Sequence, residues 1–176
     1  GSAQTLMNAA EQVYAYLNSI GIAYESARHP AVMTIADCAP IDRKLNAVTA
    51  KNYFLCTKNQ KHFYLCIVRP NARFHTADIS KQVNSSRLSF AGAEYLERYL
   101  RVYPGAVSPM GLIFDADRAV RLILDRGLTE CERIAFHPCD NTQTIAMRTD
   151  DFLHVFLPAL GVEPLFAEIH DFETTE

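Results

Sequence analysis

Apolar residues at Leu6, Ala9, Ala10, Val13, Leu17 and Ile20 recur at helical spacing, and Gly21 stands where such a helix would stop. The pattern predicts an amphipathic helix over residues 5–20. Residues 22–27 alternate as a short strand until His29-Pro30 breaks it, and Thr34 can cap a brief helix over 35–39 that Pro40 ends. From Val48 the pattern turns to strand, over 48–56 and 63–68, with 57–61 as the hairpin link. Residues 76–83 and 92–100 read as short helices, the second punctuated by Pro104-Gly105. Strand-like segments follow at 112–114, 119–124, 133–137 and 142–147. A last helix over 150–160 is expected to be capped by Asp150 and stopped by Gly161, and from Glu163 an acidic tail is expected to fray.

Helices in the first half and at the end, around hairpin-connected strands, favour an α+β fold over a doubly wound one. The expected sheet is mixed and mainly antiparallel. There are no repeats or linkers, so 176 residues predict one domain, placed at 3–165, with an acidic tail over 166–176.

Hydrophobic residues at 49% and charged residues at 21% exclude disorder of the whole chain. A net charge of -3 argues against a generic binder of duplex DNA, yet leaves room for a protein that grips one nucleotide end with a few residues. No apolar run is long enough to span a bilayer and no leader pattern opens the chain, so a soluble, cytoplasmic protein without a membrane partner is expected. The five cysteines form no CxxC pair, which predicts reduced thiols. The nearest approach to a metal motif is His137-Pro138-Cys139 with Cys131 upstream, and no metal or other cofactor is expected.

Signatures of serine hydrolases, NTPases, dinucleotide enzymes and zincins are missing. Three local features could carry chemistry. Lys51-Asn52 opens an apolar strand, where it is either a cation and amide gripping a phosphate or carbonyl, or a strand start in solvent. Pro104 to Pro109, with Gly111 behind, makes a stiff loop that either presents backbone N–H groups to an oxyanion or is a plain structural turn. Phe136-His137-Pro138, leading into Asn141-Thr142, places a histidine at a strand end, either in a cleft or hydrogen-bonded to backbone.

In their order along the chain these features resemble the YbaK/ProX superfamily of aminoacyl-tRNA editing proteins, and within it the freestanding prolyl-tRNA editing proteins called ProXp-ala or PrdX. The resemblance rests on His29-Pro30-Ala31-Val32 with Thr34, Lys51-Asn52-Tyr53-Phe54-Leu55, Arg87-Leu88-Ser89-Phe90-Ala91, the GxxxP loop Gly105-Ala106-Val107-Ser108-Pro109, Phe136-His137-Pro138 and Asn141-Thr142. It runs from about Leu6 to Pro164. Residues 41–45 and 73–83 depart from the family's wording, at helices expected near the mouth of the site.

The resemblance implies a partly open barrel-like sheet flanked by helices. It also implies hydrolysis of the ester that joins a wrong amino acid to the 3′-terminal adenosine of tRNA(Pro), most simply alanine. Lys51, Asn52, Gly105 and His137 fall on the catalytic positions. His29, Thr34, Ser89, Ala106, Val107, Ser108, Pro109 and Asn141 fall on substrate-binding ones. The implied partners are the acceptor end of mischarged tRNA(Pro) and, transiently, prolyl-tRNA synthetase. A deacylase for Cys-tRNA(Pro) or another small residue, and a non-catalytic tRNA- or synthetase-binding module of the same fold, are the alternatives. Such an enzyme has a physical rationale. A prolyl pocket cannot expel alanine by size, because a missing methylene is worth only about 1–3 kcal/mol. An aminoacyl ester is already activated, so a positioned water and oxyanion stabilisation can suffice without a nucleophilic side chain.

Overall fold

Asn8 sets where the first helix begins. Its Oδ1 accepts the Glu11 N–H at 2.8 Å, so α1 (Ala9–Ser19) starts later than the apolar spacing predicts, and Leu6 stays in solvent. The computed structural model describes residues 6–31 and 34–171. Val32 of the His29 motif and the last residues of the acidic tail lie outside them.

After β1 (Tyr24–Arg28), Thr34 and Asp37 form a reciprocal capping box: each side chain accepts the other's backbone N–H at 3.2 Å. The helix that follows, α2 (Ile35–Leu45), does not stop at Pro40 as expected. Pro40 lacks a donor for the Ala36 carbonyl, but both residues are exposed, so water can satisfy that oxygen. Asn46, left-handed at φ 51°, ends the helix instead.

The strand expected over 48–56 is two strands. β2 (Val48–Thr49) and β3 (Lys51–Thr57) belong to different sheets, and the chain crosses between them at Ala50. β4 (Phe63–Val68), α3 (Thr76–Gln82) and α4 (Ala93–Leu100) follow close to expectation, and between the two helices stands a short strand that the sequence pattern does not predict, β5 (Leu88–Phe90). The expected strand at 112–114 is part of a 3-10 helix, Pro109–Phe114. Ser108 Oγ caps it by accepting the Met110 N–H, and Gly111 lets it lie on the Leu100 carbonyl, which a Cβ would approach to 2.5 Å.

β6 (Val120–Asp125), β7 (Arg133–Phe136) and β8 (Gln143–Arg148) complete the long strands. The last helix runs through an α turn, Thr149–Asp151, a π segment, Phe152–Phe156, and an α turn, Leu157–Leu160, before Gly161 at φ 69°. Asp150 lies inside its first turn rather than capping it. The fraying expected from Glu163 is also corrected: β9 (Leu165–Ala167) pairs with β6.

One sheet has the order β1-β8-β7-β2 and the other β5-β3-β4-β6-β9. The β1–β8, β7–β8, β3–β4 and β3–β5 ladders are antiparallel; β2–β7, β4–β6 and β6–β9 are parallel. The sheets share one core, in which Phe54, Leu65 and Leu122 meet Phe136, Ile145 and Phe152. Each outer face is covered too. Ile41 and Leu45 of α2 pack on Ala135 and Ala146, while Ile79 of α3 and Ile169 pack with Leu55 and Cys66. Burial on both faces explains why every residue of β4 is inside and why it reads as an unbroken apolar run. The result is the mixed α+β architecture with a partly open, helix-flanked barrel.

Candidate active site

The crossing at Ala50 creates the site. Thr49 pairs with Ala135 in the parallel β2–β7 ladder, and two residues further along each chain stand Lys51 and His137. Both line a cavity of about 250 Å³. β2 and β3 supply Thr49, Ala50, Asn52 and Tyr53 to its walls, the start of α2 supplies Thr34, Ile35 and Cys38, and the loop after α4 supplies Gly105 and Val107. The cysteine has no activated character: burial pushes its thiol above the ordinary value.

Each polar group of the cavity has a defined state. Lys51 is half-buried and makes no ion pair with any described residue. Asn52 donates its Nδ2 to the Ala50 carbonyl at 3.2 Å. That carbonyl can only accept, which fixes the amide orientation and leaves Asn52 Oδ1 buried without a partner. His137 donates Nδ1–H to the Gln143 carbonyl at 2.8 Å. Burial is the main influence on this imidazole and lowers its pKa, aided by His29, against the opposing Gln143 bond and the Asp140 carboxylate. It is therefore a neutral ring with its lone pair on Nε2.

A polar network holds His137 from behind. The buried Gln143 accepts the Tyr14 hydroxyl at 2.8 Å and donates to Asp140 at 3.1 Å. Burial alone would raise the Asp140 pKa, but hydrogen bonds from the Thr142 N–H and hydroxyl and from Gln143 hold it below the ordinary carboxylate value.

Thr34, Lys51, Asn52, Gly105, Val107 and His137 thus come together as cavity wall, and the other positions implied by the resemblance do not line it. The His29 ring is 6.2 Å from that of His137, and both its nitrogens are engaged: Nδ1–H with the Pro30 carbonyl, Nε2 with the Thr144 hydroxyl. Asn141 braces the loop. Its Oδ1 accepts the Tyr103 hydroxyl at 2.9 Å, and its Nδ2 would lie 3.3 Å from a Cβ at Gly105. Gly105 has φ 96°, which suits glycine. Ala106 is buried and its N–H is committed to the Tyr103 carbonyl, whereas Gly105 and Val107 line the cavity. Ser108 and Pro109 are buried behind the loop, at the start of the 3-10 helix. Ser89 sits on β5 opposite Cys56, outside the cavity lining.

Sequence reasoning did not single out Ile35, Cys38, Thr49, Ala50 or Tyr53. Tyr53 was within reach, since strand period places it on the same face as Lys51. Thr49 is tied to α2 through its hydroxyl, which donates to the Asp42 carboxylate.

Lys51, Asn52, the neutral His137 and the loop residues Gly105 and Val107 thus line one cavity, with Ile35, Ala50 and Tyr53 among its apolar walls. A cation and a neutral imidazole beside one cavity can polarise a carbonyl held there.

The family model for the aminoacyl-tRNA editing domain matches residues 29–155. The chain is 30% identical over 145 residues to the prolyl-tRNA editing protein ProX of Acetoanaerobium sticklandii, covering 82% of this chain and 88% of that protein. It is 33% identical over 153 residues to the prolyl-tRNA synthetase associated domain-containing protein 1 of Mus musculus, covering 85% and 89%. A crystal structure described as a candidate trans-editing enzyme for prolyl tRNA synthetase shares the fold at a TM-score of 0.72 and 18% identity, over 95% of this chain and 99% of that one.

Proposed function

The chain belongs to the aminoacyl-tRNA editing domain family, and from that premise we propose that it hydrolyses mischarged tRNA(Pro), with alanine as the preferred wrong amino acid. The observation that carries this reading is that Lys51, His137 and Asn52, whose Oδ1 is buried without a partner, line one small cavity. An α-ammonium donates to Asn52 Oδ1, the acceptor in the wall that lacks a donor. Lys51 and the Gly105 or Val107 amide face the ester carbonyl, where negative charge develops as water attacks. His137 Nε2 accepts a hydrogen bond from that water and orients it. The tetrahedral intermediate collapses with cleavage of the acyl C–O bond, and the ribose oxygen leaves with a proton. The products are free amino acid and tRNA.

The walls support a preference for alanine. In this proposal a methyl group packs against Ile35, Ala50 and Val107, and the loop at Gly105 and Val107 excludes a pyrrolidine ring. The protein would then act in trans on tRNA released by prolyl-tRNA synthetase, with which a transient association is part of the same proposal. The experiment is Ala-tRNA(Pro) hydrolysis by wild type and Lys51→Ala. Loss of one charge-stabilising donor should slow the reaction roughly a hundredfold without changing the melting temperature. A near-normal rate would remove Lys51 from the mechanism.

A further inference from the structure

Tyr53 belongs to the cavity wall, but its ring also begins a second surface. Phe74 stacks on it with centroids 4.0 Å apart and planes 12° apart. Phe90 lies 6.0 Å from Tyr53 and 6.2 Å from Phe74, tilted to both. Three rings from β3, the segment before α3 and the end of β5 therefore form one continuous aromatic surface starting at the cavity rim.

Its outer member is conspicuously bare. Phe90 is 62% exposed, more than Tyr103 at 44% or Phe166 at 39%. Those two have polar cover: the Tyr103 hydroxyl is bonded to Asn141, and the Arg126 guanidinium lies over the Phe166 ring at 4.7 Å. No cation covers Phe90 among the described residues. The segments that carry the rings are cationic, although the chain as a whole is acidic. Lys51 stands two residues before Tyr53, Arg73 precedes Phe74, and Arg87 lies three residues before Phe90. None of the three is ion-paired among the described residues. Of the acidic residues nearby in sequence, Asp78 accepts a hydrogen bond from Gln82 and Glu94 opens α4.

The geometry points to a nucleobase-stacking platform: an unpaired base at the 3′ end of the tRNA stacks on Phe90, with Arg73 and Arg87 beside its phosphates. This rests on the reading that the cavity takes an aminoacyl ester of tRNA. The cavity is large enough for the aminoacyl group but leaves the bases outside, where the aromatic surface begins. Exposed aromatic rings among unpaired cations are the chemistry that holds single-stranded nucleic acid without reading its sequence.

The test compares wild type, Phe90→Ala and Phe90→Trp in two assays. In deacylation of Ala-tRNA(Pro), Phe90→Ala should raise KM roughly five- to hundredfold, the range expected for losing one stacked base, with kcat within about twofold. Phe90→Trp should restore KM. In direct binding of a single-stranded RNA tetranucleotide ending in CCA, Phe90→Ala should weaken affinity by a similar factor and Phe90→Trp should not. Unchanged KM and unchanged oligonucleotide affinity would overturn the platform. A Phe90→Ala effect confined to concentration-dependent self-association would also overturn it and assign the surface to contact between copies. If wild type deacylates no tRNA(Pro), the catalytic reading fails, and the oligonucleotide assay still decides the platform by itself.

Discussion

His137 donates its Nδ1–H to the Gln143 carbonyl across 2.8 Å, and that bond settles which ring nitrogen is left for chemistry. The carbonyl cannot donate, so the neutral ring must carry its proton on Nδ1 and present Nε2 as an acceptor. Burial, reinforced by the nearby His29, keeps the ring neutral by lowering its pKa from the ordinary 6.5. In the unfolded chain that protection is lost.

Stability should therefore depend on pH through this residue. Below about pH 6.5 the unfolded chain takes up a proton that native His137 resists, so stability falls as pH drops from 6.5 towards the lower native value. Urea midpoints at pH 8, 6.5 and 5.5 should show a steeper acid loss for wild type than for His137→Gln. Parallel curves for the two proteins would show that His137 is not the group responsible.

Gly105 offers a separation of backbone strain from site geometry. Gly105→Ala forces a side chain into φ 96° and places its Cβ 3.3 Å from Asn141 Nδ2. Gly21→Ala meets nothing within 4 Å but has a similarly left-handed φ of 75°. Both should lose about 1–2 kcal/mol of stability. Only Gly105→Ala should also slow deacylation at a temperature where both variants are folded. Equal rates would mean that the loop does not shape the cavity.

A third prediction concerns the fold away from the site. Asp125, 1% exposed, accepts the Arg69 N–H at 3.0 Å, Arg69 Nε at 2.8 Å and the Gly127 N–H at 3.0 Å. Arg69 in turn donates to the Ile169 carbonyl and to Asp171, which ties the segment after β9 to the five-stranded sheet. Asp125→Ala should cost roughly 3 kcal/mol in urea denaturation, because it strips a buried acceptor from three donors. Its deacylation rate below the melting temperature should match wild type. A loss under 1 kcal/mol would show that the cluster does not hold this segment in place.

The helices and long strands were legible wherever one periodicity ran without interruption, as in α1, α4 and β4. What escaped depended on tertiary partners. Pro40 signals a helix end locally, but the Thr34–Asp37 capping box and the packing of Ile41 and Leu45 on Ala135 and Ala146 carry α2 past it. Residues 112–114 are apolar enough for a strand, and the fit of Gly111 on Leu100 makes them a 3-10 turn. β9 is three residues long and exists because β6 offers an edge. For the site, Lys51, Asn52, the loop and His137 were visible through their motifs. The switch of sheets at Ala50 left no mark in a segment that reads as one strand from 48 to 56, and Lys51 and Asn52 beyond it share a cavity with Ile35 and Cys38 of α2. Ile35 and Cys38 therefore could not be read as cavity wall.

The most direct measurement is a deacylation panel with purified wild-type protein and Ala-, Cys-, Ser- and Pro-tRNA(Pro) as separate substrates. The account predicts rapid release of alanine from Ala-tRNA(Pro), with Pro-tRNA(Pro) decaying no faster than without protein. Cys-tRNA(Pro) hydrolysed faster than Ala-tRNA(Pro) would move the preference to the larger side chain, and release of proline at the alanine rate, or of no amino acid at all, would contradict the account.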